Sequence, residues 1–204
     1  MIPAKEALKK LKEGNARYLD GKLTLTGFAH RGRGKPFIEG QEPFAIILGC
    51  SDSRVPAELV FDQGLGDLFV IRIAGNIVAS SQIGSVEFAA AKFGVRLVVV
   101  LGHTMCGAIE ACVSELRQPT EQQSPNLSAI VDQIRPAIEP LMDMEIAEDE
   151  EKLLSHATQA NIMHSVSHLQ HGSEILKELV ANKDLTIVGA QYSIETGKVT
   201  FFDS

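Results

Sequence analysis

Two short apolar runs constrain this chain more than any other feature. Residues 44–49 (Phe-Ala-Ile-Ile-Leu-Gly) and 97–102 (Leu-Val-Val-Val-Leu-Gly) are rich in branched aliphatics and carry no charge. Helical sequence follows each. Runs of this kind belong to strands covered on both faces, and such strands occur in parallel sheets with helices packed over them. The rest of the chain repeats the alternation. A strand is expected at 67–73, a helix at 81–93, a helix at 107–116, helices at 128–142, 148–171 and 173–182, and a strand at 185–190. Ser193 to Gly197 reads as a hairpin turn from which 198–202 pairs back. The order predicts an α/β fold: a central, mostly parallel β-sheet flanked by helices, with right-handed crossovers and a C-terminal antiparallel hairpin.

The two runs end in chemically distinctive residues. The first leads into Cys50-Ser51-Asp52-Ser53-Arg54, the second into His103-Thr104-Met105-Cys106. Ligands of open α/β sheets bind outside the carboxyl ends of the strands, so both stretches should reach the same edge. A lone cysteine is normally a small buried hydrophobe, and Cys50 alone would be read that way. Two cysteines and a histidine at two strand ends outweigh that reading. Two thiolates and an imidazole are three of the four ligands of a tetrahedral Zn2+, and the open fourth position is that of a catalytic site. One Zn2+ per chain is therefore expected on Cys50, His103 and Cys106. Gly49, Gly102 and Gly107 would let backbone pass close to the ion. Cys112, in mid-helix, has no such partners and reads as core.

Asp52 and Arg54 follow Cys50 at two and four residues. An exposed pair of this kind contributes little. Beside a metal, the guanidinium would hold the carboxylate ionised, and Asp52 could then orient a zinc-bound hydroxide. If Arg54 let go, Asp52 could bind the zinc itself, which would make the pair an on/off switch.

The remaining polar clusters read as ordinary surface. His164 and His168 are one helical turn apart, but Ser165 stands where a His-Glu-x-x-His motif needs glutamate. The acidic run 148–151 suits a helix N-terminus. Gly32 and Gly34 follow no strand and open no helix, so they make no phosphate cradle.

Residues 4–19 read as an amphipathic helix. The segment 20–43 holds Gly21, Gly27, Gly32, Gly34, Pro36, Gly40 and Pro43 and reads as irregular. A single domain over 1–204 is expected, with 1–43 as an N-terminal helix and dimerisation arm and 44–204 as the zinc-binding α/β core. The formal charge of −7 argues against a nucleic-acid partner. The apolar runs are far too short to span a membrane. The start lacks a basic region followed by an apolar block, so it does not read as a signal peptide. Three cysteines make a poor disulfide framework and fit metal ligation in a reducing, cytoplasmic setting.

These residues resemble the β-class carbonic anhydrases. The resemblance runs from Leu11-Lys12-Glu13-Gly14-Asn15-Ala16-Arg17 to the terminal hairpin, through Cys50-Ser-Asp-Ser-Arg54, Arg72-Ile-Ala-Gly-Asn76 and Gly102-His-Thr-Met-Cys-Gly107. It implies Cys50, His103 and Cys106 as zinc ligands, Asp52 and Arg54 as the catalytic dyad, and reversible hydration of CO2 to bicarbonate and a proton. It implies a homodimer or homotetramer, built partly by a swapped N-terminal helix, with sites at the dimer interface. It also implies a substrate pocket with Gln41, Phe69, Phe88 and Gly107. Phe88 stands where many members have Tyr. Members with a second, inhibitory bicarbonate pocket carry Trp three residues before the first cysteine; Ile47 stands there, so that pocket is expected to be absent or altered. Phe69, Phe88 and Ile77 or Val78 are candidate apolar walls for CO2. Two alternatives share the motifs: hydrolysis of carbonyl sulfide or carbon disulfide on the same scaffold, and a non-catalytic zinc protein with Asp52 as permanent fourth ligand.

Overall fold

The computed structural model describes residues 2–24, 40–119 and 124–202. The sheet is built from β1 (Ala45–Gly49), β2 (Leu68–Arg72), β3 (Leu97–His103), β4 (Thr186–Tyr192) and β5 (Val199–Phe201) in the order β2-β1-β3-β4-β5. The first four strands pair in parallel, and β5 pairs antiparallel to β4. The helices are α1 (Ala4–Leu19), α2 (Ala57–Val60), α3 (Ser80–Phe93), α4 (Gly107–Arg117), α5 (Pro125–Ile138), α6 (Glu150–His171) and α7 (Glu174–Ala181).

Side chains of a strand point alternately to its two faces, and both faces here are buried. Ala45 and Ile47 of β1, with Leu97, Val99 and Leu101 of β3, join the layer under α1 and α2. Ile46, Leu48, Val98 and Val100 face the opposite layer, against Val86 and Ala89 of α3, Ile162, Val166 and Leu169 of α6 and Leu176 of α7. This two-sided cover is why β1 and β3 are apolar throughout. A third apolar cluster lies beyond the strand ends. It joins Ile109 and Val113 of α4, Val131, Ile134 and Ile138 of α5 and Leu153 and Ala157 of α6 to Cys50 and Cys106.

α1 lies on its own chain. Ala7 and Leu11, one turn apart, are fully buried in the layer with Phe44, Val60 and Phe61. Truncating a buried leucine costs about 2–5 kcal/mol, so this contact is substantial. Asn15 pins the helix, donating to the carbonyls of Val60 (3.1 Å) and Gly197 (3.0 Å) and accepting from the Val199 amide (2.9 Å). Gly14 allows the approach, since a Cβ there would fall 1.8 Å from the Phe61 carbonyl oxygen. Within the chain, α1 packs through Ala7 and Leu11 on its own core. Residues 25–39 of the expected arm lie outside the described residues.

Several boundaries differ from the sequence reading. The helix expected after β1 is only four residues long, ending where Asp62 takes a left-handed φ of 47°. The helix expected at 128–142 begins earlier, because Pro125 fits its first position, where no N–H is needed. It gives way to a 3-10 turn at Glu139–Leu141, where Pro140 cannot extend the backbone ladder. Asp149 caps α6 by accepting from the Lys152 amide at 3.1 Å, as the acidic run suggested.

Candidate metal centre

β1 delivers Cys50 one residue beyond its end, and β3 ends at His103, with Cys106 just before α4. Because β1 and β3 are adjacent and parallel, their carboxyl ends coincide. The Sγ of Cys50 lies 4.0 Å from the Sγ of Cys106, and one ligand atom from each of Cys50, His103 and Cys106 falls within 4.8 Å of the others. All are buried.

The histidine is set up as a ligand. Its Nδ1 lies 2.9 Å from the Thr104 carbonyl oxygen, to which it donates in the tautomer that leaves Nε2 with a free lone pair. That Nε2 is buried with no hydrogen-bond partner, and an orphaned buried nitrogen is costly unless something fills its lone pair. Two sulfurs beside it make the donor set that zinc takes. The residues therefore fit a zinc ion.

The two thiols share their environment unequally. The Cys106 thiol hydrogen bond, then His103 and the amides around Asp52 and Gly75, lower the Cys50 thiol against the opposing effect of burial. The Cys50 thiolate and burial push Cys106 up. His103 is drawn down by burial but raised on balance by Cys50 and the Thr104 carbonyl.

Asp52 and Arg54 form a tight pair. Arg54 donates from its backbone amide (2.9 Å) and Nε (2.9 Å) to Oδ1, and from Nη2 to Oδ2 (2.7 Å). These bonds hold the Asp52 carboxyl well below the usual carboxylate range. Oδ2 lies 3.9 Å from the free Nε2 of His103. Arg54 also donates to the Met105 carbonyl at 3.1 Å, tying the first ligand loop to the second.

Sequence reasoning missed several supporting groups. Arg72 donates through Nε to the Cys50 carbonyl at 3.0 Å and through Nη2 to that of Asp52. The Gly75 amide donates to Cys50 Sγ at 3.4 Å. Thr104 donates its amide to the Tyr192 carbonyl and accepts the Ile194 amide on Oγ1, both at 3.0 Å. In the sequence, the Arg72-to-Asn76 stretch carries only the family resemblance.

Not every proposed pocket residue reaches the cluster within the chain. Gln41 is exposed beyond the opposite end of β1. Phe69 pairs in register with Ile46 and packs with Phe88 (ring centroids 6.3 Å apart) and Phe93 (6.0 Å) against α3. Phe88 is 53% exposed. Val78 belongs to the α3 side of the sheet, whereas Ile77 shares the apolar cluster of Cys50 and Cys106. Gly107 opens α4 beside Cys106. A cavity of about 260 Å³ reaches Cys106 from the α6 side, bordered by Glu110, Glu151 and Glu195. His164 and His168 lie one turn apart on α6 with their rings tilted 59° to each other and centroids 6.3 Å apart, outside the Cys50–His103–Cys106 cluster.

The chain thus has an α/β fold with a parallel sheet, a Cys-His-Cys cluster at its carboxyl edge that could hold a metal ion, and an Arg-clamped aspartate beside it. The carbonic anhydrase family model matches residues 45–199. Carbonic anhydrase 2 of Mycobacterium tuberculosis is 35% identical over 199 residues, covering 97% of this chain and 92% of that protein. The solved β-carbonic anhydrase CcaA is 28% identical, with a TM-score of 0.76 over 97% of this chain and 95% of that one. A tetrameric β-carbonic anhydrase from Sordaria macrospora shares the fold at 20% identity, with a TM-score of 0.75 over 98% of both chains. The chain belongs to the β-carbonic anhydrase family and is an enzyme of that family.

Proposed function

We propose that this chain catalyses the reversible hydration of CO2 to bicarbonate with one Zn2+ held by Cys50, His103 and Cys106. The observation that carries the reading is the ionised Asp52 carboxylate, clamped by Arg54, with Oδ2 3.9 Å from the unpartnered Nε2 of His103. When bound, zinc supplies a Lewis acid that brings the pKa of a water towards neutrality.

The protein's own residues do the rest. Asp52 Oδ2 accepts one bond from Arg54 and keeps acceptor capacity towards the cluster, so it can take a hydrogen bond from the attacking water and fix its orientation. Arg54 keeps Asp52 turned aside rather than available as a fourth ligand, which supports an open site. Ile77 offers an apolar wall to a substrate with no dipole. Gly107, at the start of α4, leaves open space next to Cys106.

Gln41, exposed away from the cluster, would reach the pocket from another subunit. A tetrameric β-carbonic anhydrase of the same fold supports a homodimer or a homotetramer. β2 is an edge strand, and with Phe88 it presents a half-exposed apolar band at Phe69, Val70 and Ile71. Two thiol ligands are at home in a reducing cytoplasm. The test is stopped-flow CO2 hydration on zinc-quantified protein from pH 6.5 to 9. Activity that rises with pH at about one zinc per chain supports the reading. A zinc-loaded protein inactive at every pH overturns it, and carbonyl sulfide and carbon disulfide would then be assayed on the same sample.

A further inference from the structure

We infer that Asn161 and Ser165, on the buried face of α6, are positioning residues for the Cys50 ligand, acting through the turn at Gly75 and Asn76. This rests on the zinc reading above and deepens it. Cys50 Sγ accepts a hydrogen bond from the Gly75 amide at 3.4 Å. Amide donors to a ligating thiolate tune its charge and direction, and what aims the donor is part of the metal site.

The Gly75 donor needs aiming. Gly75 and the following Asn76 both take left-handed φ, 68° and 44°, and a non-glycine residue keeps that conformation only when its surroundings impose it. α6 imposes it here. Asn161 Nδ2 donates to the Gly75 carbonyl at 2.8 Å, and Ser165 Oγ donates to the Asn76 carbonyl at 3.0 Å. The two donors are one helical turn apart on one face, matched to two successive carbonyls. Both residues are 1% exposed, so no solvent substitutes for them. From the far side, a Cβ on Gly75 would fall 2.7 Å from Ile134 and 3.2 Å from Ala108, so the turn has no room to back away. Held by two carbonyls and walled behind, the turn presents its amide to Cys50.

If the two side chains only satisfied buried carbonyls, their loss would destabilise the fold and leave the metal's environment alone. The experiment separates these roles. Ser165→Ala, Asn161→Asp and the control Val166→Ala are compared with the parent. Val166 is 4% exposed on the same helix but packs in the sheet-side apolar layer. Zinc release to a chromophoric chelator is timed, and the thiolate-to-cobalt charge-transfer band is recorded on Co2+-substituted protein. Ser165→Ala and Asn161→Asp are expected to release zinc about tenfold faster or more and to shift the band to lower energy. Val166→Ala is expected to lower the melting temperature while keeping the release rate and band of the parent. Ser165→Ala removes a single oxygen and carries the test even if Asn161→Asp does not fold. Unchanged release and band in a folded Ser165→Ala protein overturn the inference, as does an equal change in Val166→Ala. A parent that binds neither zinc nor cobalt overturns this inference together with the zinc reading. A parent that binds metal without hydrating CO2 overturns only the proposed reaction.

Discussion

Two arginine–aspartate pairs sit at either end of the short helix α2, and they are built in opposite ways. Asp52 accepts three hydrogen bonds, all from Arg54, two residues along. Asp62 also accepts three, but from distant residues: Arg17 Nε, the Thr24 amide at 2.9 Å and Thr24 Oγ1 at 2.8 Å. The Asp52 side chain is 17% exposed and Asp62 is fully buried. A carboxylate satisfied within its own loop ties no distant segments together, and its remaining acceptor capacity lies towards His103, 3.9 Å away. A carboxylate satisfied by the N-terminal segment fastens α1 to the core and has nothing left to offer a reaction. The same two residue types thus make a local clamp in one place and a tie between distant segments in the other.

The largest effect should come from Asp52→Asn. It keeps shape but weakens the acceptor, and CO2 hydration is expected to fall by about 10²-fold or more, on the scale of a lost proton-handling group. Bound zinc should stay near one per chain, and stability should fall by less than in Asp62→Asn, because the Arg54 clamp joins residues of one loop and its guanidinium stays half exposed. Stopped-flow rates, metal analysis and thermal unfolding on one preparation check all three expectations, and a comparable loss of stability would erase the contrast.

Asp62→Asn should give the reverse pattern. Removing one partner of a buried pair costs about 3–5 kcal/mol when the other charge is stranded. Arg17 can turn to solvent, since its side chain is 35% exposed, so about 2–3 kcal/mol is expected, with zinc content and activity per folded molecule unchanged. Urea unfolding measures it. Zinc loss in this variant would mean that the two regions are coupled.

The same pair predicts a pH dependence. Burial alone would raise the Asp62 carboxyl, but the bonds from Arg17 and Thr24 outweigh it and set it below the ordinary value. A depressed folded-state pKa adds stability that is complete above the unfolded value of about 3.9 and is lost as pH falls through the folded one. Metal-free parent should therefore lose more stability than metal-free Asp62→Asn as pH drops from 5 towards 3. Parallel urea midpoints for the two proteins would remove Asp62 from the account.

The smallest effect calibrates the others. Arg96 and Asp184 lie 2.9 Å apart, a distance like that of the Asp52 pair, with both side chains about half exposed. Asp184→Asn should change stability by about 0.5 kcal/mol or less. A larger change in the melting curve would show that distance rather than burial and partner origin governs these pairs.

Strand and helix identity, the parallel sheet and the gathering of Cys50, His103 and Cys106 were legible because they are local. Apolar runs of β-branched residues identify β1 and β3 whatever surrounds them, and a residue that ends such a strand must lie at the sheet edge. Cys50, His103 and Cys106 needed only that argument, and Asp52 and Arg54 needed only their two-residue spacing. The tertiary structure decided what depends on distant partners. It seated α1 on its own sheet, placed Phe69 and Phe88 away from the cluster, matched Arg17 to Asp62, and brought Asn161 and Ser165 to a turn 86 and 89 residues earlier in the chain. In the sequence, Asn161 and Ser165 are two more polar residues on a long helix. Burial gives their hydrogen bonds consequence, and burial is a property of how the helix lands on the sheet.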